Sequence, residues 1–242
     1  MKLRNQTHSA VVVGGSNGIG LAIAVNLMKK GYFVYILDML PVDERVYEFQ
    51  DQYEHIYFDV REMDYEVLNR LKNDLTVKVL MVTAGIGRIA GFENLHPIEI
   101  QKTLEINTAA ISIIHAFYER IKTQESFMCG VMGSIAGLVS SPMFSVYAAS
   151  KAAICRFVES VNIELEAAGI DNRILNVSPG SIKGTKFYGG ANDLSSLVEL
   201  ADLIVRNLES KKELLIPSYD EVYPHGQGSH GGAGFHHQRD AL

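Results

Sequence analysis

Two hydrophobic periods take turns along this chain. Short, mostly apolar runs at 10–13, 33–37, 55–58, 77–82, 127–132, 173–177 and 213–216 read as strands, and the all-apolar ones suit a parallel sheet buried on both faces. Between them lie longer stretches with helical signals. One runs over 21–30 and stops at Gly31, a second over 63–71, and a third over 97–121, where Pro97 suits a first turn. A fourth covers 146–168 and closes at Gly169, and a fifth covers 195–208. This rhythm predicts an α/β protein with one doubly wound sheet of about seven parallel strands and helices on both faces.

No linker cuts the pattern, so residues 1–242 are expected to form a single domain. The exception is 219–242, a tail rich in glycine and histidine with no usable periodicity. Its His225, His230, His236 and His237 match no closed zinc site, and no metal is expected. A solvated tail and a tail docked at an active-site mouth both remain open; Tyr219, Tyr223 and Phe235 favour some contact.

Composition narrows the function. Apolar residues make up 47% of the chain, enough for a core without disulfide staples. The net charge of −6 and the lack of a basic stripe argue against nucleic acid as a partner. Cys129 lies in a strand-like run and Cys155 in a helical one, and both read as buried packing thiols. The polar start and the absence of a membrane-length apolar stretch lead to the expectation of a cytoplasmic protein without a membrane partner.

Chemistry enters with a glycine-rich turn, Gly14-Gly15-Ser16-Asn17-Gly18-Ile19-Gly20, directly after the first strand and opening the first helix. Such a turn lets backbone approach a pyrophosphate, and the helix N-terminus offers it N–H groups and a positive dipole end. No Gly-Lys-Ser/Thr follows, which excludes a P-loop. Asp38 ends the second strand, where a carboxylate can accept from ribose hydroxyls and would repel a 2′-phosphate. Met39 follows it, and no Lys or Arg lies in the glycine turn, so NAD is expected over NADP.

Further along, Tyr147 and Lys151 sit four residues apart, on one face of a helix. A phenol titrates near pH ~10, and an ammonium beside it favours the phenolate. Ser134 follows an apolar strand, and Asn107 lies within a long helix. Singly, each has an ordinary structural reading as a cap, a turn residue or a surface residue.

Jointly, in this order, these residues resemble the short-chain dehydrogenase/reductase family of the classical type, over about residues 8 to 218. The resemblance implies a Rossmann fold and a catalytic tetrad of Asn107, Ser134, Tyr147 and Lys151. It implies that Gly14, Ser16, Asn17, Gly18, Ile19 and Gly20 cradle the dinucleotide with Asp38. Asp59 and Val60 would meet the adenine, and Ala84 and Gly85 would let the cofactor lie close. Tyr147 and Lys151 would touch the nicotinamide ribose, and Pro179, Gly180, Ile182 and Thr185 would flank the nicotinamide. Two positions depart from the family pattern: Val13 replaces a threonine, and Thr83 replaces the asparagine that usually braces the sheet. Ser134 would polarise the substrate oxygen while Tyr147 exchanges its proton.

The function expected is therefore hydride transfer between NAD(H) and an alcohol or carbonyl. The alternatives are an NADP-linked 3-oxoacyl reductase, a non-catalytic dinucleotide-binding regulator, and an isomerase or epimerase. The loops 87–92, 135–144 and 186–194 would choose the substrate. A homodimer or homotetramer is expected through the helices at 97–121 and 146–168, on which Phe117, Ile154, Phe157, Val161 and Leu165 exceed what one sheet face needs.

Overall fold

A computed structural model describes residues 8–182 and 193–217. Seven strands form one sheet: β1 (Ser9–Val13), β2 (Phe33–Asp38), β3 (Tyr53–Tyr57), β4 (Val77–Val82), β5 (Met128–Met132), β6 (Ile174–Val177) and β7 (Leu214–Leu215). Their order is β3-β2-β1-β4-β5-β6-β7, and every pairing is parallel. Six α-helices accompany them among the described residues: α1 (Gly18–Lys29), α2 (Tyr65–Asn73), α3 (Pro97–Ala116), α4 (Tyr118–Ile121), α5 (Ser145–Ala167) and α6 (Val198–Glu209).

The central strands β1, β2, β4, β5 and β6 are mostly apolar because both faces of the sheet are covered there. Ala10, Val12, Val34, Ile36, Val79, Met81, Leu175 and Val177 pack with the apolar sides of α1 and α6. Their neighbours Val11, Val13, Tyr35, Leu37, Leu80, Val82, Cys129 and Val131 pack with α3 and α5 on the other face. Chain order reverses between β1 and β4. A doubly wound sheet opens its ligand crevice there, beyond the strand C-termini.

The expected elements are present; α1 begins three residues early, at Gly18, α6 begins three residues late, at Val198, and three further differences have a visible cause. The long helix over 97–121 breaks at Phe117 into α3 and α4. Phe117 leaves the helical register (φ −98°, ψ 4°) and puts its fully buried ring 6.3 Å from that of Phe127. Helix α2 starts at Tyr65 because Asp64 caps it, accepting from the Glu66 and Val67 amides at 3.0 and 3.1 Å. Strand β3 begins two residues early, at Tyr53, since its register follows β2 rather than its own apolar run. It is an edge strand among the described residues, and its Tyr57 is exposed.

The oligomer expectation rested partly on residues that serve this chain's own core. Phe117, Ile154 and Leu165 are fully buried beneath α3 and α5, so they give no surplus apolar face. Ile98, Leu104 and Ile163 on the same two helices are exposed instead. Thr185, the loop 186–192 and the tail 219–242 lie outside the described residues. Among the described residues no helix is long and apolar enough to cross a membrane, and no cluster of metal-ligating side chains occurs.

Candidate active site

The crevice at the switch point is a cleft of about 690 Å³, running from the end of β2 across β1 and β4 to β5 and α5. Its floor is the glycine turn. Gly14 has φ +81°, and a Cβ there would lie 2.5 Å from the Ala84 amide nitrogen. A Cβ on Gly20 would lie 2.2 Å from the Gly14 carbonyl oxygen. Only glycine lets the turn, α1 and the end of β4 close on one another here. Asn17 is the N-cap of α1 and makes no capping bond with its side chain.

Thr83 explains how the cradle holds without the usual asparagine. Its hydroxyl lies 2.9 Å from both the Val13 and the Gly14 carbonyl oxygens, so it braces β4 against the glycine turn. The expected residue changed, and its bracing function survives.

Asp38 stands in the cleft wall, with its carboxylate already engaged. The Ser16 and Leu40 amides donate to its two oxygens, at 3.1 and 3.0 Å. Each oxygen keeps a second lone pair for a ligand. Ser16 itself is buried, and its hydroxyl donates to the Leu40 carbonyl at 2.7 Å. It therefore shapes the cradle from behind and does not line the cleft.

Asp59 and Val60 line the cleft beside Asp38. The Arg61 side chain clasps the Asp59 carboxylate through Nε and a terminal nitrogen, at 3.0 and 2.5 Å. These hydrogen bonds hold the Asp59 carboxyl below the usual carboxylate range, against the opposing effect of burial. The sequence reading missed Arg61; its signal was a cation two residues after the strand-end acid.

At the far end Ser134, Tyr147 and Lys151 share the cleft wall with Pro179, Gly180 and Ile182. Ser134 follows β5 and caps a short turn, accepting from the Ala136 amide at 3.2 Å. Lys151 is 2% exposed, its Nζ lies 5.8 Å from the centre of the Tyr147 ring, and it donates to the Met132 carbonyl at 2.7 Å. Burial pushes its ammonium down from 10.5 to about 8.

Asn107 stands behind this row and does not line the cleft. Its Oδ1 accepts from the Ile86 amide at 2.8 Å. Its Nδ2 donates to the Ile86 carbonyl and the Ser150 hydroxyl, at 2.8 and 2.9 Å. Ser150 in turn donates to the Tyr147 carbonyl at 2.7 Å. The asparagine thus ties the β4–α3 loop to the N-terminal part of α5, at Ser150.

A second buried string went unseen in the sequence. Asn176 on β6 donates to Cys155 Sγ at 3.3 Å and accepts from the Ser178 hydroxyl at 3.0 Å. Its Oδ1 crowds Gly133, where a Cβ would lie 2.2 Å away. Cys155 follows Lys151 by one turn, so the string joins the lysine's helix to the strand end that carries Ser134. An asparagine inside an apolar strand run was the available signal.

Comparison with known proteins agrees with this architecture. The profile of the family described as short chain dehydrogenase matches residues 8–193. The chain belongs to that family. It is 30% identical over 190 residues to the uncharacterized oxidoreductase TDA5 of Saccharomyces cerevisiae, covering 74% of this chain and 56% of that one. It is 28% identical over 194 residues to a 3alpha-hydroxysteroid dehydrogenase of Mediterraneibacter gnavus, covering 74% and 75%. A short-chain dehydrogenase from Sphingobium yanoikuyae, solved in complex with NADPH, superposes with a TM-score of 0.72 at 21% identity over 88% of both chains. The chain thus spans between half and three quarters of the length of these two sequence relatives.

Proposed function

We propose that this chain is a nicotinamide-dinucleotide-dependent oxidoreductase acting on an alcohol or carbonyl substrate. The observation that carries the reading is the buried Lys151 ammonium against the Tyr147 ring, in one cleft with Ser134 and the glycine cradle. The cradle fits a dinucleotide: Gly14 and Gly20 leave backbone where any side chain would intrude. The bound nicotinamide would supply or take the hydride. Tyr147 gives or takes the proton at the substrate oxygen, and Lys151 favours its phenolate. Ser134 donates to the same oxygen and fixes its position. Asn107 keeps α5 in register with the β4–α3 loop, so the tyrosine stays aimed.

NAD is the cofactor this reading favours, on one ground. The Asp38 carboxylate lines the adenosine end, and no Lys or Arg among the described residues lines the cleft beside it. The NADPH carried by the Sphingobium protein leans the other way. Binding titrations with both dinucleotides decide: NAD should bind tighter, and equal or tighter NADP binding removes Asp38 as the determinant.

The test of the activity is reduction of a ketone panel, followed by loss of reduced-nicotinamide absorbance, in the native protein and in Tyr147→Phe. Turnover should fall by about 10² or more in the variant, with dinucleotide affinity retained. Near-normal turnover would take Tyr147 out of the mechanism. A protein that binds dinucleotide and turns over no ketone or alcohol would be a regulator, or an isomerase or epimerase. The same reading includes a homodimer or homotetramer through α3 and α5, where Ile98, Leu104 and Ile163 are exposed. A stable 26.7 kDa particle in light scattering at micromolar concentration would refute the oligomer.

A further inference from the structure

Five large apolar side chains that neither core nor mechanism uses fall in the two loops at the Tyr147 end of the cleft. Ile86, Ile89 and Phe92 lie in the β4–α3 loop, and Val139 and Met143 in the β5–α5 loop, each between 39% and 64% exposed. Ile86 and Val139 line the cleft itself, together with Ile135, Phe144 and Tyr147. A backbone bond joins the two loops: the Ala90 amide donates to the Met143 carbonyl at 3.0 Å. Met143 makes that bond from the left-handed region, with φ +67°. A non-glycine residue holds that conformation only where its surroundings impose it, and such strain gathers at ligand sites. The cation of the first loop is turned to other use. Arg88 pairs with Glu99, whose other oxygen accepts from the His96 amide at 2.9 Å and caps α3.

These observations describe a fixed apolar rim, latched before any substrate arrives. We propose that the substrate is an uncharged ketone or secondary alcohol on a bulky apolar body, a fused or alkyl-substituted ring, which lies against Ile86, Val139 and Met143. Apolar surface removed from water by that rim supplies the affinity, and the latch spares the cost of ordering two loops on binding. This deepens the reading given under the proposed function and rests on it for the carbonyl or carbinol group alone.

The test is a binding titration by calorimetry on the full chain saturated with oxidised NAD or NADP, which keeps ketones from reacting. Three probes share one ring: cyclohexanone, 2-decalone and 4-oxocyclohexanecarboxylate. The second ring of decalone should tighten binding at least about tenfold over cyclohexanone, and the carboxylate should bind weakest. Met143→Ala and Val139→Ser should each shrink the decalone-to-cyclohexanone ratio severalfold. Phe92→Ser, at an exposed position, supplies a further variant should either of those fail to fold. Equal affinity for the two ketones, tightest binding of the carboxylate, or no ketone binding at all would overturn the proposal. Decalone that binds tightly but is never reduced by NADH or NADPH would sink the oxidoreductase reading and leave the rim standing. Decalone reduced no better than cyclohexanone would do the reverse.

Discussion

Replacing Lys151 with methionine should abolish turnover and, below neutral pH, make the protein more stable. Methionine fills similar space and carries no charge. Burial at 2% exposure lowers the ammonium from 10.5 to about 8, with the neighbouring Cys155 opposing weakly. At about 1.4 kcal/mol per unit, the charged lysine burdens the fold by roughly 3 kcal/mol. The sign follows from proton counts. Between about pH 8 and 10.5 the unfolded chain holds a proton that the folded one has released, so stability rises with pH across that window. Below it the burden is complete. Removing the lysine also orphans the Met132 carbonyl, which returns about 1 kcal/mol of destabilisation. Net stabilisation of Lys151→Met should therefore be about 2 kcal/mol near pH 6.5 and close to zero near pH 9.5. Urea unfolding of both proteins at both pH values measures this, because other titrating groups cancel in the double difference. A gain that is the same at both pH values, or a loss at the lower one, would refute the claim that buried charge drives it.

Four further outcomes are expected. Gly20→Ala should lose dinucleotide binding by calorimetry, since its Cβ meets the Gly14 carbonyl at 2.2 Å. Thr83→Ala should weaken dinucleotide affinity by about 1 kcal/mol, several-fold in Kd, by freeing the glycine turn from β4; an unchanged Kd would show the brace to be idle. Asn176→Ala should lower kcat several-fold with little change in dinucleotide Kd, as Gly133 and Ser134 lose their support; a fall in melting temperature with unchanged kcat would make it purely structural. Asp38→Ala should narrow the gap between NAD and NADP in paired titrations.

The strand–helix alternation could be read from sequence because parallel strands with both faces covered become plain apolar runs. Edges were less legible. Strand β3 takes its register from β2, and only the fold supplies that partner. At the site, side chains one helical turn apart could be placed together in advance, as Tyr147 and Lys151 were. Partners across the fold could not. Arg61 sits two residues from Asp59, yet its clasp depends on the shape of the β3–α2 turn. The Lys151–Met132 bond joins residues 19 apart, and the Asn107–Ser150 bond joins residues 43 apart. Neither has a local periodicity to announce it. Ser16 was a reasonable ligand by position and turned inward because Leu40 offers a carbonyl.

The Thr83 brace bears on how this protein is made. The hydroxyl that steadies the glycine turn reaches back 70 residues to Val13. Helix α1 leans further still, sharing its apolar cluster with Leu197 and with Ala201, Ile204 and Leu208 of α6. The glycines therefore leave the ribosome long before the threonine that braces them and the helix that packs on α1. Until those arrive, the most N-terminal element of the site is an exposed loop on an uncovered helix. Contacts this distant in sequence also slow folding, since the chain must close a long loop before they contribute. A nascent chain ending before Thr83 carries the whole glycine motif and should still fail to hold a dinucleotide.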